Sequence, residues 1–76
     1  LAEEVAAAVA RVRERALLKP PGVAETIDWA NALQALGADG LEPEAATRTL
    51  GSLLKEREDL ERVRAAMPDI IGSAGS

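Results

Sequence analysis

The amino-acid sequence predicts an all-α fold, a small bundle of about four helices, and three observations predict it. Apolar residues make up 47% of the 76-residue chain; alanine and leucine dominate them, and Trp29 is the only aromatic. Ala and Leu give up little side-chain entropy in a helix, whereas strands favour the β-branched and aromatic residues that are few and scattered here. The apolar positions recur at steps of three and four, the period of one helix face, and proline- or glycine-bearing breaks separate the stripes.

The first helix is expected over residues 1–18. Leu1, Val5, Val9, Val12 and Ala16 form its stripe, and Glu3, Glu4, Arg11, Glu14 and Arg15 fall off it. Arg11 and Glu14 are spaced to pair weakly on the surface. Lys19-Pro20-Pro21-Gly22 then stops the helix, because proline restricts the residue before it and lacks the backbone donor. A second helix should run from Val23 or Ala24 to Leu36. Ile27, Ala30, Leu33 and Leu36 make its apolar side, with Trp29 flanking it. Glu25 in its first turn suits the positive end of the helix dipole. Gly37 sits where a left-handed C-cap glycine belongs, and Asp39-Gly40 marks a turn.

Pro43 opens a third helix, proline being favoured at the first helical position. Its buried stripe is Ala46, Leu50, Leu53 and Leu54. Residues 43–67 could form one helix, but the charged run Lys55-Glu56-Arg57-Glu58-Asp59 interrupts the stripe before Leu60, Val63 and Met67. Two helices with a kink or short joint at residues 55–58 are therefore expected. Pro68 should end the last helix. The organisation that follows is a helical domain over residues 1–68 and a flexible C-terminal tail over 69–76, with Gly72-Ser73-Ala74-Gly75-Ser76 as linker. There is no internal repeat.

Length and charge bound the function. A chain this short buries only about 60% of its unfolded surface, so the core is expected to be thin. The net charge is −4, and residues 20–45 carry five acids and no base. An acidic chain lacks the attraction that drives most nucleic-acid binding, and no stretch approaches the roughly 20 apolar residues of a membrane span. Neither nucleic acid nor membrane is an expected partner. Without cysteine or histidine, disulfides, thiolate or imidazole metal sites and Ser–His or Cys–His catalysis are excluded. The absence of disulfides and of a secretory leader fits a cytoplasmic protein. A chain opening on Leu1 rather than methionine is expected to be a processed product or a piece of a longer one.

The search for an active site finds little. There is no phosphate-cradling Gly-x-x-x-x-Gly-Lys-Ser/Thr loop and no Gly-x-Gly-x-x-Gly. Glu3-Glu4 reads as a solvated helix start. Glu56, Glu58, Asp59 and Glu61 interleave with Arg57, Arg62 and Arg64, which reads as a salt-bridged solvated face rather than a metal site. Thr47 and Ser52 have no base to activate them. Trp29 reads first as the anchor of a small core and second as a contact for a neighbouring domain or an adenine ring. At Lys19-Pro20-Pro21-Gly22 the amino end of the second helix stands beside a lysine; helix amino ends favour anions, although Glu25 would repel a phosphate.

The run Leu18-Lys19-Pro20-Pro21-Gly22-Val23-Ala24-Glu25-Thr26-Ile27-Asp28-Trp29-Ala30 resembles a segment of one branch of the MoxR-type AAA+ ATPases. The resemblance continues through Ala35-Leu36-Gly37, Leu41-Glu42-Pro43-Glu44, Thr49-Leu50-Gly51, Leu53-Leu54-Lys55 and Arg57-Glu58-Asp59-Leu60-Glu61-Arg62-Val63, covering residues 1–67. It implies an AAA+ lid-like bundle that follows an upstream α/β core, closes over ATP bound there and relays hydrolysis to a ring. ATP and Mg2+ would belong to the parent protein only, with none bound by this chain alone. The implied partners are the AAA+ core domain, neighbouring ring subunits and a von Willebrand A domain protein, in chaperone-like assembly or maturation. This chain would not be an enzyme by itself. The implied nucleotide-contact candidates are Lys19, Pro21, Gly22, Glu25 and Thr26. One departure stands out: Glu25 or Thr26 occupies the place of the phosphate-sensing arginine of many AAA+ lids. Lys19 is the expected substitute, with Arg15 as the alternative charge donor. Two other functions compete. One is an autonomous acidic helical interaction module without nucleotide; the other is a DNA-binding helix-turn-helix over residues 41–54, which the charge argues against.

Overall fold

The computed structural model describes residues 1–75, with side chains through Ile71. It is all-α: α1 (Ala2–Arg13), α2 (Val23–Ala35), α3 (Pro43–Arg48), a 3-10 turn at Leu50–Ser52, and α4 (Arg57–Gly75). The second helix α2 packs on α1 and on the 3-10 turn, and α4 packs on α1 and α3. Val5, Val9 and Val12 from α1, Trp29 and Leu33 from α2, Leu50, Leu53 and Leu54 from the turn region, and Val63, Met67 and Ile70 from α4 share one core. No described helix is long and apolar enough to cross a membrane.

The first helix stops five residues short of its expected end. In a helix through Leu18, the amides of Leu18 and Lys19 would be bonded within α1 or left open at the bend. Both instead donate to the Asp59 carboxylate, Leu18 N–H to Oδ1 at 2.8 Å and Lys19 N–H to Oδ2 at 2.9 Å. Bonds to a charged acceptor are roughly twice as strong as neutral ones. The freed carbonyl of Ala16 accepts from Arg62. Ala16, expected on the apolar stripe, is exposed as a result. The expected Arg11–Glu14 pair does not form; among the described residues the one ion pair is the Leu1 amine with Glu4.

In α2 the buried line runs through Trp29 and Leu33, while Ile27 and Leu36 are 54% and 50% exposed. The expected apolar side is therefore corrected. Ile27 and Trp29 lie about 200° apart on a helix of 3.6 residues per turn, so they cannot both face inward, and the larger aromatic surface takes the core. The indole N–H of Trp29 donates to Thr49 Oγ1 at 2.8 Å, and that hydroxyl donates to the Ala45 carbonyl at 2.7 Å. The buried polar pair is thus satisfied. The helix ends in a Schellman arrangement, with Ala38 N–H on the Leu33 carbonyl and Gly37 N–H on that of Gln34. Gly37 has φ 78°, a conformation a side chain would strain.

Residues 43–67 are two helices, as the charged run indicated. The break is wider than expected. It opens at Thr49, passes through the 3-10 turn and closes at Arg57. Leu50, Leu53 and Leu54, in and just after this turn, all reach the core.

Pro68 does not end α4. It lies inside the helix, and its ring is on the exposed side. A proline in a helix interior costs about 3 kcal/mol. Burial of Ile70, 1% exposed, offsets much of this at about 1.5–3 kcal/mol for a large aliphatic side chain. The helix continues to Gly75, so residues 69–71 belong to the bundle and not to a tail. The side chains of the expected linker, and Ser76 altogether, lie outside the described residues.

Candidate functional site

Between α1 and α2 the chain makes a bend, residues 14–22, that is fastened from both sides. Asp59, in the first turn of α4, holds its middle through Leu18 and Lys19. Arg13, the last residue of α1, donates from Nε to the Pro21 carbonyl at 2.9 Å and holds its end. Pro21 is buried, whereas Leu18, Lys19 and Pro20 are exposed.

The bend delivers Gly22 as the N-cap of α2 in an extended conformation. Glu25 reaches back, and its Oε1 accepts from the Gly22 N–H at 2.9 Å. The Gly22 carbonyl accepts from both Thr26 N–H, at 3.1 Å, and Thr26 Oγ1–H, at 2.8 Å. Gly22 has no side chain to complete a reciprocal capping box, so Glu25 alone caps the amino end. Hydrogen bonds from Glu25's own backbone N–H and from that of Gly22 hold its carboxyl below the ordinary glutamate range, and the charges of Lys19 and Lys55 act in the same direction. Lys55 also donates to the Ser52 carbonyl.

The candidates Lys19, Pro21, Gly22, Glu25 and Thr26 are thus brought together at one end of α2. Arg15 is not among them. With Arg11, Glu14, Asp69 and Ile70 it lines a separate cleft of about 440 Å³, whose lining includes none of those five. Arg11 Nη1 is enclosed there without a hydrogen-bond partner among the described residues. Trp29 has no exposed surface: it belongs to the core and offers no face to a neighbouring domain or an adenine ring. A groove of about 210 Å³ runs between α1 and α2, lined by Ala6, Val9, Arg13, Val23, Thr26 and Ile27. Val23 and Ile27, one helical turn apart on its edge, are 72% and 54% exposed.

A nucleotide phosphate at the amino end of α2 would meet a carboxylate already in place. Its N-cap donor already serves the Glu25 carboxylate, which stays charged. Among the described residues no cluster of acids could hold a metal ion.

Asp59 is the residue that sequence reasoning missed. It was expected on a solvated, salt-bridged face and is 1% exposed, bonded to backbone amides 40 and 41 residues away. Within a run of five charged residues, nothing local marks it.

Comparisons of the chain with protein-family models, with curated proteins and with solved structures give no match.

Proposed function

We propose that this chain is the lid domain of a MoxR-type AAA+ ATPase: a non-catalytic bundle that packs on an upstream α/β core, closes over the ATP bound there and relays hydrolysis to ring motion. The observation that supports this reading is the surface made by the segment that carries the resemblance. Its bend is fastened by Asp59 and Arg13, and Leu18, Val23 and Ile27 stand exposed along it and the adjoining groove. Exposed apolar side chains gathered on a rigid element are what a contact face requires. On this reading the part of this chain is mechanical, and ATP and Mg2+ are held by the core of a cytoplasmic, ring-forming protein. Neighbouring subunits and a von Willebrand A domain protein are its partners in chaperone-like assembly or maturation.

The first test is the coding sequence over about 250 residues upstream, the span of a nucleotide-binding unit. A phosphate-cradling loop after a strand, then an apolar strand ending in Asp-Glu, is expected; their absence sinks the lid reading. In the parent protein, Val23→Glu combined with Ile27→Glu should weaken ring assembly or ATP hydrolysis while the separate chain melts unchanged. Unaltered assembly and hydrolysis would mean that this face does not dock. A second reading, an autonomous acidic interaction module, is favoured by the closed core around Trp29, since a module that folds unaided needs one.

A further inference from the structure

The amino end of α2 is built around an anion of its own. The carboxylate of Glu25 lies directly against Gly22: its Oε1 is 2.9 Å from the Gly22 nitrogen and 3.0 Å from where a Cβ on Gly22 would stand. The Gly22 carbonyl is held by Thr26 through both backbone and hydroxyl, which fixes the orientation of the capping residue. Ahead of Gly22 come Pro20 and Pro21, neither of which has an N–H, so no run of amides precedes the helix to form a concave anion nest. The carbonyl of Pro21 is tied to Arg13, so this approach is fixed as well. Residues 20–45 contain no basic side chain, and the two lysines near this end, Lys19 and Lys55, already act on Glu25.

We infer that Glu25 is the resident anion of this helix end and that it closes the α2 amino terminus of this chain to phosphate. Hydrogen bonds from its own N–H and from that of Gly22 keep Glu25 ionised, and the charges of Lys19 and Lys55 act in the same direction. The inference concerns the chain's own geometry and stands or falls apart from the lid reading. A lid that covers a nucleotide through side chains of the bend is compatible with it. A lid that grips a phosphate with the amides of α2 is not.

The test is a titration of the 15N-labelled chain with inorganic phosphate, and separately with MgATP, against sodium chloride at matched ionic strength. In the native chain the amide signals of Gly22, Val23, Ala24 and Glu25 should move no more with phosphate than with chloride. In Glu25→Gln, which keeps the side-chain shape and removes the charge, the same signals should move saturably with phosphate. Emission from Trp29 checks that the variant is folded. Saturable phosphate shifts at these amides in the native chain would overturn the inference. A folded Glu25→Gln chain as silent as the native one would also overturn it, because the charge of Glu25 would then not be what closes the helix end.

Discussion

A carboxylate with almost no exposed surface must have its charge met, and Asp59 meets it with two backbone N–H groups rather than with a cation. It sits in the first turn of α4, where the helix dipole favours an anion. Hydrogen bonds to charged groups contribute about 1.5–3 kcal/mol each, and the two freed amides can regain part of that from water. Asp59→Ala is therefore expected to lower stability by about 2–3 kcal/mol in urea unfolding, with Asp59→Asn, which keeps one acceptor, losing less. A loss within about 0.5 kcal/mol, the range of ordinary surface substitutions, would show the two bonds to be exchangeable for solvent. Glu25 makes a different prediction, one of pH. Its pKa in the folded chain is lowered, so its contribution is present above the unfolded value of about 4.3 and is lost as pH falls through the folded value. Its side-chain carboxyl should titrate by NMR below the ordinary glutamate range, and Glu25→Gln should remove its share of the acid-dependent loss of stability. A midpoint at the ordinary value would contradict the cap. Glu25 was legible as a first-turn acid, because the helix dipole acts locally, although its bond to Gly22 was not foreseen. Asp59 was not, because its partners are fixed only when α4 folds back against the bend.

At the scale of elements, periodicity and punctuation located the helices, and tertiary contacts moved their ends. Gly37, Pro43 and the Lys19-Pro20-Pro21-Gly22 break act through the backbone of their own neighbourhood, and each lies where the sequence put it. Two of the misplaced ends have non-local causes: Asp59 shortens α1, and core burial of Ile70 carries α4 past Pro68; α3 also ends earlier than expected, at Arg48. The stripe of α2 was misassigned because two stripes compete on one helix, and volume rather than spacing decides between Ile27 and Trp29. The extension of α4 can be tested directly. Pro68 supplies no N–H to the turn before it, and alanine in its place would restore a helical hydrogen bond. Pro68→Ala should raise stability by about 1–3 kcal/mol, somewhat less than the full proline penalty because proline also restricts the unfolded chain. The thermal midpoint of the variant measures it. A lower midpoint would mean that the residues beyond Pro68 do not hold the helical course in solution.

For the whole molecule, the sequence led to a thin core that leans on a neighbour, and the surface area bears on that. The chain exposes 4501 Å² for a mass of 7.9 kDa, against about 4400 Å² for a compact monomer of that mass. The Cα radius of gyration, 10.9 Å, also meets the value of about 11 Å expected for its length. The bundle is thus as closed as its size allows; its large exposed apolar side chains are Leu18, Val23 and Ile27 towards the amino end of α2 and Leu36 at the other end. The exposed side chains by the bend were half legible: the resemblance singles out their segment, but only packing decides that Ile27 turns outward. A closed core with a local apolar face should fold unaided, and Trp29 provides the test. It is the only aromatic residue, fully buried and bonded to Thr49 between α2 and the 3-10 turn, so its emission reports tertiary packing while far-ultraviolet dichroism reports helix. In denaturant the two signals should be lost in one coincident transition, the behaviour of a small domain with a single core. If Trp29 became exposed at a lower denaturant concentration than that at which the helices melt, the core would not hold by itself. Leu18, Val23 and Ile27 would then mark a domain completed by its neighbour rather than a patch on a finished one.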